Sequence, residues 1–132
     1  MSTKPAAPVS VPDAITELPH PWESRDLAFA NGSVLRVVRF EGAFPWHQRD
    51  QDELYLCWDG SFRVEFEGGD SVVLRAGDIF VVPRGTEHKP SSAGGAILMF
   101  EPSGTSTTGD RHEGDIPAHV HSTTGVVADP GR

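Results

Sequence analysis

Apolar and polar residues alternate over short stretches through the middle of the chain. Phe62, Val64 and Phe66 point one way and Arg63 and Glu65 the other, the period-two pattern of a half-buried strand. Leu27 to Ala30 and Val34 to Phe40 predict two further strands, joined at Asn31-Gly32, a dipeptide that tolerates the positive φ angles of a hairpin. Leu54 to Trp58, Val72 to Leu74, Ile79 to Val82 and Ala96 to Phe100 complete the set, with Glu67-Gly-Gly-Asp70 as a turn. Short strands at such spacing indicate an all-β sandwich or barrel. Phe62, Val64, Phe66, Phe80 and Met99 are the expected core.

The ends of the chain have a different pattern. Met1 to Val11 is rich in Pro, Ala and Ser and is expected to be disordered. Asp13 to Leu18 predicts one or two helical turns, capped by Asp13 and stopped by Pro19. Pro19-His20-Pro21-Trp22 predicts a turn that tucks Trp22 against the body. From Ser103 the chain turns Ser/Thr/Gly-rich and predicts a flexible tail. The expected organisation is an extension over 1–26, a barrel over 27–102 and a tail over 103–132.

With 132 residues the chain is one domain at most, large enough for a core without staples. The net charge of −8 and the lack of a Lys/Arg cluster argue against nucleic acid. Cys57 is the single cysteine, so no intrachain disulfide can form, and a buried structural thiol is expected. The N-terminus carries no apolar signal-like run, and no segment approaches transmembrane length, so no membrane association and a cytoplasmic location are expected. Asn31-Gly-Ser33 also fits a glycosylation acceptor, but the turn is the favoured reading.

The segment Gly77 to His88, GDIFVVPRGTEH, carries the most chemistry. A buried strand, Ile79 to Val82, is ended by Pro83, which cannot donate to a ladder. Pro83-Arg84-Gly85 then turns the chain, and His88 follows where another strand begins. Upstream, Gly42 precedes His47, Arg49, Glu53 and Gly60. Together these segments resemble the two motifs of the cupin family, G-x5-H-x-H-x3/4-E-x6-G and G-x5-P-x-G-x2-H-x3-N. Trp46-His47 and Asp52-Glu53-Leu54 look like the small bacterial single-domain cupins. Two departures stand out: Arg49 replaces the second His, and Ser92 replaces the final Asn.

The resemblance implies a cupin-type double-stranded β-helix, or jelly-roll, barrel and a homodimer. It also implies a divalent metal held by His47, Glu53 and His88 at the barrel mouth. Two imidazoles and a carboxylate suit Fe(II) best, with Mn, Ni or Zn accepted. Arg49 shares the His47 face by strand alternation and cannot ligate. It either clamps an anionic small molecule beside the metal, or displaces the metal and pairs with Glu53, or turns to solvent. Tyr55 shares the Glu53 face and is a candidate pocket-lining residue. Trp46 is expected to face away, Asp50 and Asp52 to be solvated, His20 and His112 to lie on the surface, and His119 and His121 to belong to the tail. Three functions follow. The chain is a metal-dependent enzyme on a small polar or anionic metabolite, dioxygenase-like first, with isomerase, cyclase and decarboxylase chemistry also found in the family. Alternatively it is a metal-free binder organised by an Arg49–Glu53 pair, or a scaffold for protein contacts.

Overall fold

The structure, a computed structural model, describes residues 7–103 and the backbone of residues 111–112. One short helix, α1 (Val11–Thr16), precedes eight strands: β1 (Ser24–Ala30), β2 (Ser33–Ala43), β3 (His47–Gln48), β4 (Glu53–Phe66), β5 (Ser71–Arg75), β6 (Ile79–Val82), β7 (His88–Pro102) and β8 (Arg111–His112). All pair antiparallel in one sheet that curls on itself, with β7 running between β2 and β4 for most of its length. The all-β barrel expected from the alternation is therefore present.

The expected boundaries move in four places. The α1 cap is Ser10, whose hydroxyl accepts from Asp13 N at 3.2 Å, while Asp13 sits in the first turn, where its charge faces the positive end of the helix. The barrel begins at Ser24, three residues before Leu27. Leu54 to Trp58 and Phe62 to Phe66 are one 14-residue strand, kinked by register shifts where Asp59-Gly60-Ser61 resembles a turn. Gly60 makes this possible: a Cβ there would lie 2.1 Å from the Gly94 carbonyl oxygen. Finally, β8 falls within the expected tail, pairing its backbone with β3, while His119 and His121 lie outside the described residues. The Asn31-Gly32 hairpin is as expected, with φ of 52° and 74°.

The runs Leu35 to Phe40 and Ala96 to Met99 carry apolar residues on both strand faces because both faces are covered. Val38, Phe40, Ile97 and Met99 point into the barrel with Tyr55, Phe62 and Val64. Val37, Ala96 and Leu98 point outward, beneath Ala14 and Leu18 of the α1 segment. Burial of Leu18 alone contributes about 1.5–3 kcal/mol. Trp22 is inside, 4.8 Å from Phe40 and 5.1 Å from Phe44 between ring centroids. Of the expected core, Phe62, Val64 and Met99 are buried, while Phe66 and Phe80 are partly buried against it. Cys57 is a buried free thiol, pushed up by burial and then by Asp78 and Asp59.

Candidate metal centre

Three strand ends deliver the candidate ligands to one place. His47 opens β3, Glu53 opens β4 and His88 opens β7, and His47 pairs across the ladder with His88. All three side chains are at least 98% buried, and one ligand atom from each lies within 4.8 Å of the others. Local turns orient the rings. His47 Nδ1 donates to Pro45 O at 3.0 Å, and His88 Nδ1 donates to Thr86 O at 2.8 Å. Fixing Nδ1–H on a carbonyl leaves Nε2 with its lone pair, the arrangement that presents an imidazole to a metal. The Pro83 turn that carries His88 is itself held: Arg84 N donates to Asp52 Oδ1 at 2.8 Å and Gly85 N to Arg49 O at 2.8 Å.

Arg49 is buried, 3% exposed, so it does not turn to solvent. Its Nε lies 2.9 Å from Glu53 Oε2, and its Nη1 donates to Glu101 Oε2 at 3.1 Å. Arg36 Nη1 takes the other Glu101 oxygen, and Arg36 Nε bonds Asp26 Oδ1 at 2.7 Å. A buried ionic chain, Asp26–Arg36–Glu101–Arg49–Glu53, thus leads from β1 into the site. Tyr55 Oη donates to Glu53 Oε1 at 3.0 Å and lies 3.4 Å from His88 Nε2, so it touches the ligand cluster itself.

Three carboxyls face two guanidiniums here, and the pKa values reflect that imbalance. Burial pushes Glu101 up to about 7, with Glu53 adding to the effect against Arg49 and Arg36. Burial also acts to raise Glu53, but Arg49 and then His88 overcome it and hold the carboxyl below its usual range. His47 is lowered to about 4 by burial and by His88, so its ring is neutral at pH 7. Tyr55 is raised well above its ordinary value by burial and Glu53 and remains a phenol.

The donor set fits a divalent first-row metal: two imidazole nitrogens and a carboxylate. Glu53 Oε2 accepts no hydrogen bond although it lies 2.9 Å from Arg49 Nε, so this buried oxygen keeps lone pairs that a cation can take. Tyr55 and Arg49 are brought to the site as expected. Trp46 is half-buried on the outside, and His20 is exposed. Asp26, Arg36 and Glu101 were not among the expected site residues. The signal was present: Arg36 falls on the inward face between Val34 and Val38, and Glu101 falls two residues after Met99 on the same face.

Two spaces adjoin this end of the molecule. A cavity of about 30 Å³ reaches His47, Arg49 and Tyr55 from among Trp22, Phe40, Phe44 and Phe62. A wide surface groove of about 650 Å³, lined by Trp46, Arg63, Phe66 and Glu87, touches none of the three candidate ligands. Size does not mark the site; buried convergent polar groups do.

Comparison with known proteins agrees with this fold. The family model described as "Cupin domain" matches residues 36–101, half of the chain, and the chain belongs to that family. The uncharacterized protein YdbB of Bacillus subtilis is 33% identical over 63 residues, 47% of this chain and 56% of that protein, so the match spans little more than half the relative's length. A cupin-2 domain protein from Shewanella frigidimarina superposes with a TM-score of 0.67 at 30% identity, over 71% of this chain and 93% of its own. A hydroquinone 1,2-dioxygenase from Sphingomonas with 4-hydroxybenzoate bound has a TM-score of 0.59 at 19% identity, over 68% and 71%, which is a likeness of fold alone.

Proposed function

We propose that this cupin-domain chain holds a divalent metal ion through His47, Glu53 and His88 and acts at the barrel mouth on a small polar molecule, with dioxygenase chemistry first among the classes. The observation that carries this is the convergence of the three ligand atoms within 4.8 Å with both Nδ1–H groups tied to backbone carbonyls. Fe(II) is the favoured metal, with Mn, Ni or Zn compatible. The bound ion supplies Lewis-acid polarisation or O2 activation. The dioxygenase among the structural relatives lends this class support by fold only.

The chain's own residues set the environment. Tyr55 holds one Glu53 oxygen and Arg49 lies against the other, so the carboxylate is oriented from both sides. His47 stays neutral at pH 7 and takes no proton from a reacting group. Counting Asp26, Arg36 and Glu101 with Arg49 and Glu53 lowers the charge around a divalent ion to about +1 when every acid is ionised, less than Arg49 and Glu53 alone give. Preference for an anion is accordingly mild.

A second reading rests on the 2.9 Å Arg49–Glu53 contact: a non-catalytic binder whose metal-free pocket that pair organises. Titration of chelator-treated protein with Fe(II), Mn(II) and Zn(II) under anaerobic conditions, read by calorimetry, separates the two. Binding near one ion per chain, lost in His88→Ala by at least about tenfold, supports the metal reading; no binding by the wild-type chain supports the binder.

A homodimer in the cytoplasm completes the proposal. Its support is an outward apolar row, Val81–Leu54–Phe100, aligned across β6, β4 and β7, with Ile79 63% and Phe100 46% exposed. Among the described residues no helix is long and apolar enough to cross a membrane.

A further inference from the structure

We propose that Trp22 is the movable occupant of the ligand pocket, and that the ligand is a flat aromatic ring bearing a hydroxyl group, which enters by taking the place of the indole. The inference rests on the barrel mouth being a ligand site; it does not need the metal.

The walls argue for a flat apolar ring. The cavity is bounded by Phe40, Phe44, Phe62 and Met99, and Phe40 and Phe62 are already stacked at 4.3 Å with 7° between their planes. Its polar end holds the Arg49 guanidinium, which donates, and the His47 nitrogen and Tyr55 oxygen, which accept because the Tyr55 proton goes to Glu53, so a hydroxyl, both donor and acceptor, meets each kind. Three carboxyls against two guanidiniums give that end no excess positive charge to draw a carboxylate in the absence of a metal.

The space argues for displacement. About 30 Å³ admits a water molecule or two, whereas a benzene-sized guest occupies a cavity of about 150 Å³. A ring can enter only if a lining residue leaves. Phe40 and Phe62 stand within long strands, Phe40 paired with Gly95 and Phe62 with Leu74. Trp22 instead stands on the turn between α1 and β1, outside the sheet, in the left-handed region at φ 68°. A bulky side chain reaches that region only against a steric cost. The backbone is anchored on both sides, because Arg39 Nη1 donates to Leu18 O at 3.1 Å and Pro19 O at 2.7 Å, and Trp22 N donates to Arg39 O at 2.6 Å. The indole therefore leaves by rotation about its own side-chain torsions while the turn and α1 stay on the barrel.

The test uses chelator-treated full-length protein in which Trp46 and Trp58 are changed to Phe, so that only Trp22 fluoresces when excited at the red edge. Phenol is the probe, and cyclohexanol, with the same hydroxyl on a puckered ring, is the comparison. Saturable phenol binding with a red-shifted Trp22 emission and at least a doubled acrylamide quenching constant is expected, with cyclohexanol at least tenfold weaker. Trp22→Ala, with the space already vacant, should bind phenol at least tenfold more tightly than wild type. Phenol binding that leaves Trp22 emission unchanged overturns the proposal, as does binding by Trp22→Ala alone, which would make Trp22 permanent core. Cyclohexanol binding equal to phenol overturns the ligand class. A failed metal titration beside a positive phenol result removes the metal reading and leaves this one intact.

Discussion

Glu101 and His47 impose opposite pH dependences on stability, and Glu101→Gln separates them. Burial raises the Glu101 carboxyl from an ordinary 4.5 to about 7. Between those values the folded protein keeps a proton that the unfolded chain has released. Stability from this group is therefore full below pH 4.5 and is lost as pH rises through about 7. His47 does the reverse: burial and His88 lower it from 6.5 to about 4. Its contribution is full above pH 6.5 and is lost as pH falls towards 4. Each displacement is worth about 3 kcal/mol at about 1.4 kcal/mol per pH unit. From pH 4.5 to 6.5 the two slopes cancel. In Glu101→Gln only the His47 slope remains, so the variant should gain about 1.4 kcal/mol per pH unit relative to wild type, close to 3 kcal/mol across the window. Urea unfolding of metal-depleted protein at pH 4.5, 5.5 and 6.5 measures this. Any change in the contacts with Arg36 and Arg49 shifts the whole curve by a constant, so the slope carries the test. Parallel curves for the two proteins would refute the reasoning.

Arg49→Met should destabilise the metal-depleted protein by about 3–5 kcal/mol at pH 7, because it leaves Glu53 buried beside no cation; saturating Zn(II) should restore part of that in the same unfolding assay, and a loss under 1 kcal/mol would contradict the ion pair. Arg49→His supplies a third imidazole next to the site and should tighten metal binding at least about tenfold by calorimetry. Deletion through Leu18 uncovers Leu27, Val37 and Leu98 and should cost about 3 kcal/mol or more, read from the unfolding midpoint. Phe100→Glu should convert a dimer to a monomer in light scattering, since a charge cannot be buried in an apolar contact; a monomeric wild type would remove the dimer proposal.

The sequence by itself determined the class of fold and the three candidate ligands. Alternation in Phe62 to Phe66, the Asn31-Gly32 turn and the Pro83 turn are local signals, each governed by residues within one strand or loop. His47, Glu53 and His88 were legible because the segments around them resemble the two cupin motifs. The continuity of β4 through Gly60 was not legible, since it depends on Gly94 and Gly95, distant in the chain, leaving room for a close backbone approach. Nor was the fate of Arg49. Alternation put it on the inner face, but only the curled sheet brings Glu101 of β7 and Arg36 of β2 beside it, and that proximity turns a prospective anion clamp into one link of a buried ionic chain. Local chemistry chooses which face a side chain takes; pairing between remote strands chooses what it meets there, and with it the charge of the site.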